Sequence, residues 1–149
     1  MVTRRLRLRV RDRMTVAPHT IGPNDSLQAA IDIIRNHEIR ELPVVQDGML
    51  VGIITDRDLR QMAPSYPFCR DEKEIRHYTE NLKVFSAMTA NPLTVSPDAP
   101  LVKAAKLLNT YRITSLPVID GERLAGMISV TDVLKTFIEL CEEETKLSD

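Results

Sequence analysis

Gly52-Ile53-Ile54-Thr55-Asp56-Arg57-Asp58 returns 74 positions later as Gly126-Met127-Ile128-Ser129-Val130-Thr131-Asp132. Each copy reads as Gly, two apolar residues, a hydroxyl residue, two variable residues and Asp. Working outward at the same offset, Met14-Thr15 falls on Met88-Thr89, Pro18 on Pro92, Thr20 on Thr94, Pro23 on Pro97 and Leu27 on Leu101. Leu42-Pro43-Val44 falls on Leu116-Pro117-Val118, and no gap is needed between Met14 and Gln61. A period this long is one supersecondary unit made twice, and such a unit needs its neighbour to bury its apolar face. The repeat predicts two similar half-sites facing one shared interior.

Thr20-Ile21 reads as a short extended piece closed by Gly22-Pro23, with Asn24, Asp25 and Ser26 as helix caps. Leu27, Ala30, Ile31, Ile33 and Ile34 fall mostly at three- and four-residue spacing, which predicts an amphipathic helix ending near His37. Leu42 to Val45 reads as a buried strand, Asp47-Gly48 as a turn, and Leu50 to Ile54 as the returning strand. A second helix starts at or just after Thr55. The second copy repeats this order: an extended Leu93-Thr94-Val95, a helix from Leu101 to Tyr111, and a strand from Leu116 to Ile119. A turn containing Asp120-Gly121, a strand from Leu124 to Ile128 and a helix from Thr131 towards Cys141 complete it. The expected fold class is α/β (α+β), two β-α-β-β-α repeats packed as a pseudo-two-fold pair. Leu27, Ile31, Ile34, Leu101, Ala105 and Leu108 are the expected interface between repeats, and Met14 and Met88 the expected core fillers.

The expected organisation is a basic arm at 1–13, repeat one at 14–62, a connector at 63–83, repeat two at 84–138 and an acidic tail at 139–149. In the connector Pro64 and Pro67 break structure, and Asp71 to Leu82 suits a short charged helix. Arg4, Arg5, Arg7, Arg9, Arg11 and Arg13 crowd one end, while Glu139, Glu142, Glu143, Glu144 and Asp149 crowd the other. Such runs are either solvated termini or a basic arm that meets phosphate or the acidic tail of a second subunit.

The net charge of −1 excludes a wholesale nucleic-acid binder. Cys69 and Cys141 form no Cys-x-x-Cys pattern, and His19, His37 and His77 share no ligand spacing, so neither a zinc site nor a disulfide framework is expected. No signal peptide and no membrane-spanning run is visible, which predicts a cytoplasmic protein without a membrane partner.

Thr55-x-x-Asp58 and Ser129-x-x-Asp132 have the form of a capping box, in which an acid also favours the helix dipole. Further features point beyond capping. The acid is Asp in both copies, where a capping box prefers Glu or Gln, and Gly52 and Gly126 sit where a backbone needs close approach. A helix N-terminus at a strand end is also a natural seat for phosphate. The copies differ in their cations: Arg40 and Arg57 in repeat one face Thr114 and Thr131 in repeat two, which has Arg112 nearby. An Arg holds phosphate in a fork, or else these residues are surface charges pairing with Glu41 or Asp56.

Together these pieces resemble the cystathionine-β-synthase-type tandem, the CBS pair or Bateman module. The residues that carry the resemblance are Thr20-Ile21-x-Pro23 and Thr94-Val95-x-Pro97, Leu42-Pro43-Val44-Val45 and Leu116-Pro117-Val118-Ile119, and the two Gly-to-Asp segments. It covers about Val10 to Lys135, and Thr55 to Arg60 with the charged connector further resembles small stand-alone CBS proteins of acetoin utilisation. The resemblance implies adenosine-nucleotide binding in clefts between the repeats. Asp58 and Asp132 would accept hydrogen bonds from ribose hydroxyls, and Thr55 and Ser129 would contact phosphate, helped by Arg40, Arg57 and Arg112. Thr20, Ile21 and Val44, with Thr94, Val95 and Val118, would line the adenine slot.

The resulting expectation is a regulatory sensor that is not an enzyme and requires no cofactor. Its ligand would be AMP, ADP, ATP, S-adenosylmethionine or a dinucleotide. It would form a homodimer through the C-terminal helix and the helices near Leu59 and Leu134, and signal to a separate effector protein of unknown identity. The rival readings are a ligand-free dimerisation and docking scaffold, and nucleic-acid binding through the arginine arm.

Overall fold

The computed structural model describes residues 7–62 and 71–148, so Arg4, Arg5, Pro64, Pro67, Cys69 and Asp149 lie outside the described residues. Among the described residues the strands and α-helices follow in order: β1 (Thr15–Val16), α1 (Leu27–Asn36), β2 (Glu41–Gln46), β3 (Met49–Thr55), α2 (Asp56–Met62), α3 (Glu72–Asn81), β4 (Thr89–Ala90), α4 (Leu101–Tyr111), β5 (Ser115–Asp120), β6 (Arg123–Ser129) and α5 (Val130–Leu147). The class is mixed α+β. The described residues divide into a contiguous unit, 18–92, and a discontinuous unit that joins 7–17 to 93–148.

In the contiguous unit β2 and β3 form an antiparallel hairpin from Glu41↔Thr55 to Gln46↔Met49, broken by a bulge between Val44 and Val45. Asp47 (φ 52°) and Gly48 (φ 80°) turn it, both left-handed as a two-residue hairpin turn requires. Ile21 bridges Val44 in parallel: its amide donates to the Pro43 carbonyl (3.1 Å) and its carbonyl accepts from the Val45 amide (2.8 Å). Pro43 lacks an amide but keeps this acceptor, so it fits a strand between two neighbours. Ser26 caps α1 by accepting from the Ala29 amide (3.1 Å). Leu27, Ala30 and Ile34 then pack on Ile21, Leu42, Val44, Ile54, Leu59 and Val84. The predicted connector helix is α3, capped by Asp71. Its Thr79 is buried and donates to Gln28 Oε1 of α1 at 2.5 Å.

The discontinuous unit repeats this plan. β5 and β6 pair from Ser115↔Ser129 to Asp120↔Arg123 with the bulge at Val118/Ile119, and Val95 bridges Val118. Leu101, Ala104 and Leu108 of α4 pack on Val10, Val95, Leu116, Val118 and Ile128. Leu27 and Ile34, like Leu101 and Leu108, thus lie in the core of their own unit, correcting their expected place at a repeat interface. Burying each against its own sheet satisfies the apolar face of its helix.

The boundaries differ most from expectation at the two Met-Thr pairs. β1, just ahead of repeat one, pairs with β6 (Thr15↔Met127, Val16↔Gly126). β4, just ahead of repeat two, pairs with β3 (Gly52↔Ala90, Ile53↔Thr89). Each leading strand therefore completes the sheet of the other copy. Residues 7–13 are likewise no free arm. Val10 is fully buried, its amide donates to the Ala99 carbonyl (2.9 Å), and Arg9 (3.4 Å) and Arg11 both pair with Asp98. Arg13 pairs with Glu139 of the same unit (2.6 Å). Residues 139–147, expected as a tail, continue α5, because Glu and Leu are strong helix formers and nothing interrupts the helical run.

Candidate functional site

Each unit carries one half-site, built where its third strand ends and a helix begins. In the contiguous unit the Thr55 amide donates to Asp58 Oδ2 (2.9 Å) and the Asp58 amide donates to Thr55 Oγ1 (3.0 Å). In the other, the Ser129 amide donates to Asp132 Oδ2 (2.8 Å) and the Asp132 amide to Ser129 Oγ (3.2 Å). The capping geometry read from the sequence is therefore present in both copies, with Asp doing the work more often done by Glu or Gln. It uses one carboxylate oxygen. Oδ1 of Asp58 and of Asp132 has no hydrogen-bond partner among the described residues, and all four box residues are half-buried.

The copies diverge at the hydroxyl. Ser129 Oγ also donates its proton to Asp132 Oδ2 (2.8 Å). Thr55 Oγ1 only accepts among the described residues, so its proton is uncommitted. A Thr hydroxyl can accept and donate at once. The contiguous half-site thus presents a donor from Thr55 and an acceptor from Asp58, while the other presents an acceptor alone.

The arginines separate. Arg40 holds the site by its backbone, its carbonyl accepting from the Asp56 amide (2.9 Å), and Arg57 is on the first turn of α2. Both side chains are exposed without an ion-pair partner among the described residues, because Asp56 pairs with Arg60 instead (3.3 Å). That pair also offsets the charge of Asp56 beside Thr55. Arg112 ends α4 in the left-handed region (φ 52°) and lines an apolar groove with Val130, Val133 and Leu134.

Of the residues expected to line an adenine slot, Thr20 is exposed and Thr94 half-buried, while Ile21, Val44, Val95 and Val118 are buried in the two cores. Both backbone polar groups of Ile21 are taken by β2, and those of Val95 by β5. Unpredicted from sequence are the partners of the two repeated glycines, Gly52 and Gly126. A Cβ on Gly126 would stand 2.5 Å from the Thr15 carbonyl oxygen, and one on Gly52 would stand 2.7 Å from Met88 Sδ and 2.9 Å from the Thr89 carbonyl oxygen. The glycines mark the strand that leads into each site as closely pressed by β1 or β4. Among the described residues no three His, Cys, Asp or Glu are grouped to hold a metal ion, and no helix is long and apolar enough to cross a membrane.

Comparison with known proteins agrees with this architecture. The family model described as the CBS domain matches residues 10–64 and 83–139. A CBS domain-containing protein of Dictyostelium discoideum is 39% identical over 140 residues, covering 92% of this chain and 96% of that one. A crystal structure described as a putative acetoin utilization protein (AcuB) from Vibrio cholerae superposes with a TM-score of 0.78 at 28% identity, covering 95% and 98%. CBSX2 of Arabidopsis thaliana, solved in complex with AMP, gives 0.74 at 27% identity, covering 89% and 97%. The CBS domain pair of protein MJ0100, solved with 5-methylthioadenosine and S-adenosyl-L-methionine, gives 0.71 at 28%, covering 89% and 97%.

Proposed function

This chain belongs to the CBS-domain family, and we propose that it is a regulatory adenosine-nucleotide sensor with no catalytic centre of its own. The observation that carries this reading is that, among the described residues, Oδ1 of Asp58 and the hydroxyl proton of Thr55 beside it have no hydrogen-bond partner. One accepts from ribose hydroxyls and the other donates to phosphate, and hydrogen bonds to a charged group are worth about 1.5–3 kcal/mol. Arg40 and Arg57, exposed and without an ion-pair partner among the described residues, are the candidate phosphate-binding cations. The structures solved with AMP and with S-adenosyl-L-methionine support the adenosine class. AMP, ADP, ATP and S-adenosylmethionine are the ligands to test, with Thr20 and Thr94 at the adenine edge. Asp132 with Ser129 forms the weaker half-site, since Ser129 commits its proton internally.

In this reading no cofactor is required. Ligand binding favours one of two arrangements by its differential affinity for them, and a cytoplasmic effector protein reads the change. The protein acts as a homodimer.

The test is thermal melting with each of the four ligands on wild type, Asp58→Asn and Asp132→Asn. Asn keeps one oxygen for the cap while replacing the second acceptor with an amide donor. A ligand at a hundred times its Kd adds about 2.7 kcal/mol, which raises Tm by roughly 5–10 °C at this chain length. The rise is expected for one ligand, and is expected to vanish in Asp58→Asn and persist in Asp132→Asn. No rise with any ligand would establish the scaffold reading, in which both carboxylates serve only as caps. The reading as a nucleic-acid arm is disfavoured by Arg9, Arg11 and Arg13, each already paired with an acid of its own unit.

A further inference from the structure

His19 and His37 stack face to face, with ring centroids 3.7 Å apart and planes 19° from parallel. Both belong to the contiguous unit. His19 lies in the extended piece that opens this unit, directly ahead of Thr20. His37 is the C-cap of α1, and its amide donates to the Ile33 carbonyl (3.1 Å). Past Thr20, both backbone polar groups of Ile21 are held by β2. Past His37, the Arg40 carbonyl accepts from the Asp56 amide (2.9 Å). The two rings thus tie the segment carrying Thr20, the proposed adenine edge, to the segment carrying Arg40, which holds the start of α2.

The duplication supplies an internal comparison for this contact. At the 74-residue offset Leu93 stands in place of His19 and Tyr111 in place of His37, and both are exposed. Histidine changes charge between about pH 5 and 8, and neither Leu nor Tyr does so. One copy therefore carries two groups here that can both become cations, and the other carries none. Both imidazoles are exposed, and neither makes an ion pair among the described residues. Arg35 and Glu38 flank His37 at the end of α1, and Arg40 and Glu41 stand where β2 begins, two charges of each sign. On α2, Asp56 pairs with Arg60 and Asp58 is held by the Thr55 amide, beside the exposed Arg57. On α3, Arg76 pairs with Asp32 and Glu80, and the helix also carries Glu72, Lys73, Glu74 and His77. Once both rings are protonated, each has the other as a like charge at 3.7 Å.

We propose that the stacked pair is a proton-operated clasp on the contiguous half-site, closed while at least one ring is neutral and opened by the second proton. Two unit charges at this separation repel enough to shift an opening equilibrium roughly five-fold or more, even at the dielectric constant of water. In the open or unfolded chain the rings are apart, and the second proton binds without that repulsion. Those states therefore hold more protons in acid, so the clasp weakens as pH falls and recovers as pH rises. Opening releases the segment carrying Thr20 from the end of α1, and the contiguous half-site loses affinity for its ligand. The clasp stands on the stack alone, whereas its effect on the ligand rests on the nucleotide reading above.

Urea unfolding across about pH 5 to 8 tests it, on wild type, His19→Leu, His37→Tyr and the double variant, with circular dichroism as the fold control. Each substitution installs the residue that the other copy already carries at that place. Carboxylates and His77 titrate alike in all four proteins, so only differences between them count. From the alkaline to the acid end, wild type is expected to lose roughly five-fold or more in its folding equilibrium constant beyond the loss in the double variant. Each single variant keeps one ring and is expected to follow the double variant. Parallel profiles for wild type and the double variant, or a single variant that keeps the wild-type response, would overturn the clasp. AMP affinity measured over the same pH range tests the coupling, and is expected to fall further in acid for wild type than for the double variant. An equal fall in both would overturn the coupling. If wild type binds no AMP at any pH, the coupling fails with the nucleotide reading, and the urea profiles alone decide the clasp.

Discussion

Gly126→Ala tests the strand exchange at its tightest point. A Cβ there meets the Thr15 carbonyl oxygen at 2.5 Å and Met14 Sδ at 3.1 Å, and real Cβ contacts essentially never fall inside 3.0 Å. The obstructing atom is backbone, so relief means moving β1. That strand is only two residues long and is held to β6 through Thr15↔Met127 and Val16↔Gly126. Giving up two ladder hydrogen bonds costs about 1 kcal/mol each, and forcing the methyl in without strand movement costs about 1–3 kcal/mol. The two routes together put the loss at about 1–3 kcal/mol, or roughly 2–12 °C in Tm. At Gly52 the nearest atom is the flexible end of Met88 at 2.7 Å, with the Thr89 carbonyl oxygen at 2.9 Å, so Gly52→Ala is expected to lose less. Gly121→Ala is the control, since a Cβ there meets nothing within 4 Å and only its φ of +65° is strained, costing about 1 kcal/mol. Urea unfolding of the three variants gives the order directly. A Gly126→Ala protein within about 0.5 kcal/mol of wild type, the range of an uneventful surface change, would refute the placement of β1 on β6.

Other outcomes follow from single contacts. Thr79→Val leaves the buried Oε1 of Gln28 without its 2.5 Å donor, so α3 is expected to loosen from α1. The loss should be about 1–3 kcal/mol, and faster hydrogen exchange over residues 72–81 than over α1 would locate it. Ala17 holds φ 51° without the help Asn91 has at the equivalent position (φ 48°), so Ala17→Gly is expected to stabilise by about 1 kcal/mol in urea unfolding. Asp98→Ala removes the partner of both Arg9 and Arg11, yet Asp98 is 60% exposed, so the change should stay under about 1 kcal/mol and shrink with added salt. A larger, salt-independent loss would mean that these pairs are far better shielded than their exposure indicates.

How much could be read from the sequence depended on whether the deciding interaction was local. Ser26 before Leu27 announced α1, and Asp47-Gly48 announced the hairpin, because a cap and a turn act within four residues. The need for close approach at Gly52 and Gly126 was also legible, but the identity of the approaching strand was not. With a 74-residue repeat, Met14-Thr15 matches Met88-Thr89 residue for residue, so either pair satisfies either hairpin equally and pattern alone cannot choose. The acidic end was misread for a different reason: charge repulsion suggests solvation, yet an exposed helical face solvates its charges just as well. At the site, capping and the proposed ribose binding ask for the same Asp, and only the structure shows that capping uses one of its two oxygens.

The crossing of the leading strands sets an order of events during synthesis. Residues 18–92 are complete as a unit once Pro92 has left the ribosome, since β4 and Val84 arrive in sequence with the rest of that core. Val10, Met14 and Thr15 emerge before any of them, but their partners Ala99, Gly126 and Met127 are made more than eighty residues later. Residues 7–17 are therefore translated ahead of the unit 18–92 yet placed after it, and Val10, fully buried in the finished unit, waits uncovered until its partners are made. A nascent chain whose emerged part ends just after Pro92 is expected to resist protease across 18–62 and 71–92 while being cut within 7–17, with protection of 7–17 appearing only when the emerged part extends beyond Ser129.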